Sequence, residues 1–168
     1  MKRATIVARA FLACMQWGCE SEKDNTQYES GKVVRFERSD AAILKGFYVP
    51  QNTETFYTSG LVAPMLNPDA APSSFLRYGN MEEQCRGTFD RIEETLALKG
   101  FRMKDVVFLR VYIAPDSSGK IDFQTFFAVY DDYFNNENNP VNVARSTIGV
   151  AALARPDLLV EMEAVAAK

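Results

Sequence analysis

The side chains best suited to chemistry in this sequence lie near its C-terminus. Arg145 stands in the strand-like run Val143-Ala144-Arg145-Ser146-Thr147-Ile148, and Glu161 and Glu163 stand in the last run, Val160-Glu161-Met162-Glu163-Ala164-Val165. Side chains alternate across a strand. Arg145, Thr147 and Gly149 therefore share one face and Ser146, Ile148 and Val150 the other, so that Arg145 is expected to point away from the apolar set. The same alternation puts Glu161 and Glu163 together, opposite Val160, Met162 and Ala164. Two readings follow. Arginine and glutamate could form a structural ion pair, because buried charges need partners. Alternatively, the planar guanidinium of Arg145 forks onto a substrate carboxylate through two parallel N–H bonds, and Glu161 orients or activates a water. On the second reading a strand-end arginine facing a cleft contributes little to packing. The chain contains no histidine. That excludes imidazole general bases, Ser-His and Cys-His nucleophile pairs and histidine metal sites, and leaves a carboxylate among the few general bases on offer. No metal site is read from the sequence.

The elements that must position these residues can be read along the chain. Residues 33–38 and 54–59 are short, partly alternating runs rich in β-branched and aromatic residues, and both read as strands. Between Leu61 and Gly79 lie Pro64, Pro68 and Pro72 among small and polar residues, which predicts a long irregular loop. Asn80 is a helix N-cap with Glu82 and Glu83 in the first turn, and Met81, Cys85, Phe89, Ile92 and Leu96 recur at three- and four-residue spacing up to Gly100. Residues 106–113 form a β-prone run. Phe123, Phe126, Phe127, Tyr130, Tyr133 and Phe134 supply a second helical face, read as core, which ends at an asparagine-rich cluster before Pro140. Residues 144–151 and 158–166 predict two final strands. The order of strands, helix, strand, helix and strands fits an α+β domain with both helices on one sheet face.

Composition sets the bounds. With 168 residues, 47% hydrophobic and 24% charged, the chain suits one globular domain, expected over residues 31–168. A net charge of −3 lacks the clustered basic residues that phosphate backbones require, so nucleic acid is not an expected partner. Cys85 is the one thiol of the body and is read as a buried helix residue. Residues 1–30 are set apart. Lys2 and Arg3, an apolar stretch and Gly18-Cys19 read as an export signal, followed by a polar linker. They resemble a bacterial lipoprotein signal, with a lipid anchor at Cys19, although Gln16 and Trp17 fit that cleavage pattern badly. Periplasmic or membrane-anchored placement is expected, with an unprocessed cytoplasmic tail as the alternative. The apolar run is too short to span a bilayer.

Thr58-Ser59-Gly60, Lys104-Asp105-Val106-Val107, Asp122-Phe123 with Tyr130 and Phe134, Val143-Ala144-Arg145-Ser146, and Val160-Glu161-Met162-Glu163-Ala164-Val165-Ala166 fall in one order over some 120 residues. In that order and spacing the chain resembles the Rid (YjgF-like) reactive-intermediate deaminases, also known as endoribonuclease L-PSP-like proteins. The resemblance implies a chorismate-mutase-like α+β fold with a mixed sheet, and a homotrimer whose sheets form a central β-barrel with ligand clefts between subunits. It also implies hydrolysis of 2-imino acids to 2-keto acids and ammonia, a small carboxylate-bearing imine as substrate, and no cofactor. Arg145 falls on the family's carboxylate-binding arginine. Glu161 falls on the glutamate assigned to the water, with one extra residue in the loop before the last strand. Gly60 backbone groups would help to hold that water. The sequence departs from the family pattern at Gly46, where an aromatic is usual and Tyr48 could serve instead, at Phe127, where asparagine is usual, and at Thr147, where several deaminases have cysteine. The loop over residues 61–79 also exceeds the typical connection. Gly60, Tyr48, Phe127 and Thr147 are thus expected at the substrate site beside Arg145. The alternative to an imine deaminase is a non-catalytic carboxylate-binding or chaperone-like trimer. Ribonuclease activity is the weakest reading for an acidic chain.

Overall fold

The computed structural model describes residues 31–168; the expected export signal and lipid anchor at Cys19 lie outside the described residues. Six strands and two helices follow in the order β1 (Val34–Phe36), β2 (Gly46–Tyr48), β3 (Thr55–Tyr57), α1 (Met81–Ala97), β4 (Val106–Ile113), α2 (Phe123–Tyr133), β5 (Ala144–Gly149) and β6 (Val160–Ala167). Strands β1 and β2 pair antiparallel as a separate hairpin, and the main sheet runs β3-β6-β4-β5. It is mixed, because β4 pairs parallel with β5 and antiparallel with β6. The predicted order therefore holds, with one addition. β2 escapes the sequence reading because it is only three residues long and its flanks carry no alternation.

The first long helix begins where its cap dictates. The Asn80 side chain accepts from the Glu83 N–H at 3.0 Å while the Glu83 carboxylate accepts from the Asn80 N–H at 2.8 Å, a reciprocal capping box. Its buried stripe of Met81, Cys85, Phe89, Ile92 and Leu96 packs with Phe126, Val129 and Tyr130 of α2 against Leu109, Val111, Ile113, Val160, Met162, Ala164 and Ala166 of the sheet. Both helices thus cover one sheet face. Burial pushes the Cys85 thiol up to about 12, which keeps it protonated and unreactive.

Residues 61–79 form the long irregular connection that their prolines predict, relieved by an isolated bridge between Leu61 and Met162 and one 3-10 turn at Phe75–Arg77. The loop is pinned rather than loose. Arg77 approaches the fully enclosed carboxylate of Asp157 at 3.5 Å, and Arg155 grips the same group at 3.1 and 3.2 Å. The Gln84 side chain then donates to the Asp157 carbonyl and accepts from the Leu159 N–H, tying α1 to the start of β6.

Candidate active site

Register fixes which site residues can meet. Leu109 of β4 is the partner of both Arg145 on β5 and Ala164 on β6, and Leu109 and Ala164 lie in the core under the helices. Arg145 therefore faces the helices. Arg110 pairs with Ser146 and Glu163, and Tyr112 with Ile148 and Glu161, so these side chains occupy the opposite, open face. Arg145 and Glu161, expected together, stand on opposite faces of the sheet and make no contact within one chain.

The environment of Arg145 also differs from the expectation that it points away from the apolar residues. Its guanidinium carbon lies 4.0 Å from the ring centroid of Tyr130, 5.1 Å from Phe127 and 5.2 Å from Phe126. A spacing of 126, 127 and 130 puts all three rings on one side of α2, and the aromatic face read as core is also the bed of the arginine. Alternation grouped Ile148 and Val150 correctly, but that pair turns outward: Ile148 is 43% exposed. The inner positions of β5 are Arg145, Thr147 and Gly149, and a Cβ on Gly149 would come within 2.9 Å of Ile121 Cδ1. Ile121, ahead of α2, and Phe123 in its first turn occupy that space instead.

Arg145 has no carboxylate at salt-bridge distance among the described residues, and its enclosed Nη1 has no hydrogen-bond acceptor. Burial lowers its pKa from the ordinary arginine value, opposed by the influence of Tyr130 and Asp131. Burial likewise raises the Tyr130 phenol, and the neighbouring guanidinium pulls it back. The structural ion-pair reading fails for Arg145, since Glu161 and Glu163 are across the sheet. Glu163 instead pairs with Arg110 at 2.9 Å and accepts from the Tyr112 hydroxyl at 3.4 Å.

Gly60 and Glu161 form the second half of the expected site. Leu61 exchanges two backbone hydrogen bonds with Met162, and Thr58 bonds Ala164 through both its N–H and its hydroxyl oxygen. The intervening Gly60 is thereby pressed onto Glu161, and a Cβ there would overlap the carboxylate, with Cδ at only 2.8 Å. The absence of a side chain at Gly60 lets the Glu161 carboxylate lie against this backbone; a methyl there would turn the end of the Glu161 side chain aside. Phe127 and Thr147 belong with Arg145. Tyr48, 53% exposed at the end of β2, is joined to neither half. A cavity of about 300 Å³ between Phe75, Met81, Ala114 and Leu159 contains neither Arg145 nor Glu161.

With this geometry in place, the comparisons define the class. The family model described as Endoribonuclease L-PSP matches residues 46–168, and the chain belongs to that family, the Rid/YjgF/L-PSP proteins. A RutC family protein of Pyrococcus horikoshii is 32% identical over 90 residues, 54% of this chain and 64% of the relative, so the match spans just under two thirds of that protein. A Rid-family protein of Yersinia pestis superposes with a TM-score of 0.61 at 22% identity, over 81% of this chain and 98% of its own. TdcF of E. coli, solved with bound serine, gives 0.53 at 22% identity, over 84% and 99%. The fold is accordingly the chorismate-mutase-like α+β arrangement of this family.

Proposed function

We propose that the protein hydrolyses reactive 2-imino acids to 2-keto acids and ammonia, in sites completed where copies of the chain meet in a homotrimer. The observation that carries the reading is Arg145: a charged, half-buried guanidinium held on three rings and, among the described residues, without an acidic partner at salt-bridge distance. Such a group gains most from a ligand that brings its own carboxylate. The family relative TdcF of E. coli was solved with bound serine, an amino acid that carries a carboxylate. Since Arg145 and the Gly60–Glu161 pair lie on opposite faces of one sheet, they serve one ligand only if each comes from a different copy.

In the reaction, Arg145 anchors the carboxylate of the imine. Glu161 of the adjoining copy accepts a proton from water as the oxygen adds to the C=N carbon, and the imine nitrogen takes that proton. As the tetrahedral carbinolamine collapses, Glu161 takes the hydroxyl proton and returns it to the nitrogen, the C=O bond forms and the C–N bond breaks, so that imine and water become keto acid and ammonia. The chain supplies orientation and electrostatics. The test is release of ammonia and keto acid from 2-iminopropanoate generated in situ by an amino-acid oxidase, with wild type, Arg145→Ala and Glu161→Gln. Acceleration by wild type that both variants lose supports the proposal. A folded trimer that binds keto acids without accelerating hydrolysis would make the protein a carboxylate binder instead.

A further inference from the structure

We infer that this site selects 2-imino acids with a bulky apolar side chain over the smallest ones, and that Phe127 sets the preference; the inference rests on the proposed role of Arg145 as carboxylate anchor. Of the three rings under the guanidinium, Phe126 and Tyr130 are fully enclosed in the core, whereas Phe127 is half-buried and forms the rim. Phe127 stacks on Phe123 with centroids 6.4 Å apart and planes 22° apart. Phe123 and Ile121 then close over Gly149 at 3.4 and 2.9 Å from its would-be Cβ. Phe127, Phe123 and Ile121, each half-buried, thus form a continuous apolar strip beside β5, running from Arg145 past Thr147 to Gly149.

The side chains that form the strip are apolar, and the one carboxylate in that segment is already engaged. Asp122, which lies between Ile121 and Phe123, has both oxygens engaged by Thr125, one by its N–H and one by its hydroxyl. Thr147 supplies the one hydroxyl on the inner positions of β5. A carboxylate held by Arg145 places the carbons next to it within reach of Phe127. A hydroxylated or charged substituent there loses water without gaining a partner, whereas a phenyl or isobutyl group gains buried area and ring contact. Pocket contacts of this kind discriminate by roughly 10- to 200-fold.

The experiment compares kcat/KM for imines generated in situ from phenylalanine, leucine and alanine, alongside calorimetric binding of phenylpyruvate, 4-methyl-2-oxopentanoate and pyruvate to the full chain. The expected result is at least about a tenfold preference for the phenyl and isobutyl compounds. Phe127→Asn should collapse that ratio towards one, and Phe127→Leu should keep most of it. If Phe127→Asn does not fold, Phe123→Asn reads the same strip and should lower the ratio in part. An equal or greater preference for the alanine-derived compounds in wild type, or a ratio that these variants leave unchanged, overturns the inference. Keto acids that bind through Arg145 with a flat ratio remove the selectivity alone; keto acids that do not bind, or bind Arg145→Ala as well, remove the anchor and the selectivity with it.

Discussion

At the scale of single residues, Arg145 takes a structural place other than the glutamate ion pair that the sequence allows: it lies on three rings of α2. It packs, because three rings hold its guanidinium, and it remains available, because no carboxylate among the described residues pairs with it. Arg145→Ala should therefore lower kcat/KM by about 100-fold or more, the loss of a charge-assisted pair of hydrogen bonds. It should also lower stability by about 1–2 kcal/mol through the lost ring contacts, where a purely cleft-facing arginine would lower it little. Arg145→Lys retains the charge without the fork and should fall between wild type and Ala in activity. Steady-state kinetics beside a thermal melt reads both effects; unchanged activity in Arg145→Ala would remove the anchor. Gly60→Ala displaces the Glu161 carboxylate from its place against the backbone, and should lower activity while the core is untouched. Activity that survives Gly60→Ala would show that Glu161 need not stay where Gly60 holds it.

At the scale of elements, the long loop and the segment before β6 converge on one buried carboxylate, Asp157. The hydrogen bonds of Arg155, with help from Arg77, hold Asp157 below its ordinary value. Because the folded value is depressed, the stabilisation is fully present above the unfolded carboxylate value of about 3.9. It is lost as pH falls below that towards the folded value. Asp157→Asn should lower the melting temperature near neutral pH by roughly 3–6 °C and flatten the acid limb of the stability curve. An acid limb identical to wild type would assign that limb to other carboxylates. How much of this was legible follows from the same physics. Strong local signals survive folding: the Asn80 cap, the α1 stripe and the β-prone run of β4 appear where periodicity puts them. The β5 strand was grouped correctly and turned the wrong way, because alternation defines two faces without saying which one the helices cover. Ile148 invited the apolar face inward, but the rings of α2 and the closure of Ile121 over Gly149 reserve the inner positions for an arginine, a threonine and a glycine.

At the scale of the whole molecule, the two parts of the proposed site, Arg145 and the Gly60–Glu161 pair, lie on opposite faces of one sheet. The open face presents Tyr112, Ile148, Glu161 and Glu163 beside the Arg110–Glu163 ion pair, and β3 and β5 are the edges of the main sheet. A cyclic trimer with a heterologous interface would cover that face and bring Arg145 of one copy to Glu161 of the next. Light scattering should then give a mass near three chains at micromolar concentration; a monomer would leave the two parts of the proposed site apart. The most direct measurement mixes Arg145→Ala and Glu161→Gln chains, each inactive alone, by unfolding and refolding them together in equal amounts. Random assembly leaves one intact pairing in each hybrid trimer, so imine hydrolysis should return to roughly a quarter of the wild-type level. Hybrids as inactive as their parents, formed from chains that still trimerise, would contradict a site shared between copies.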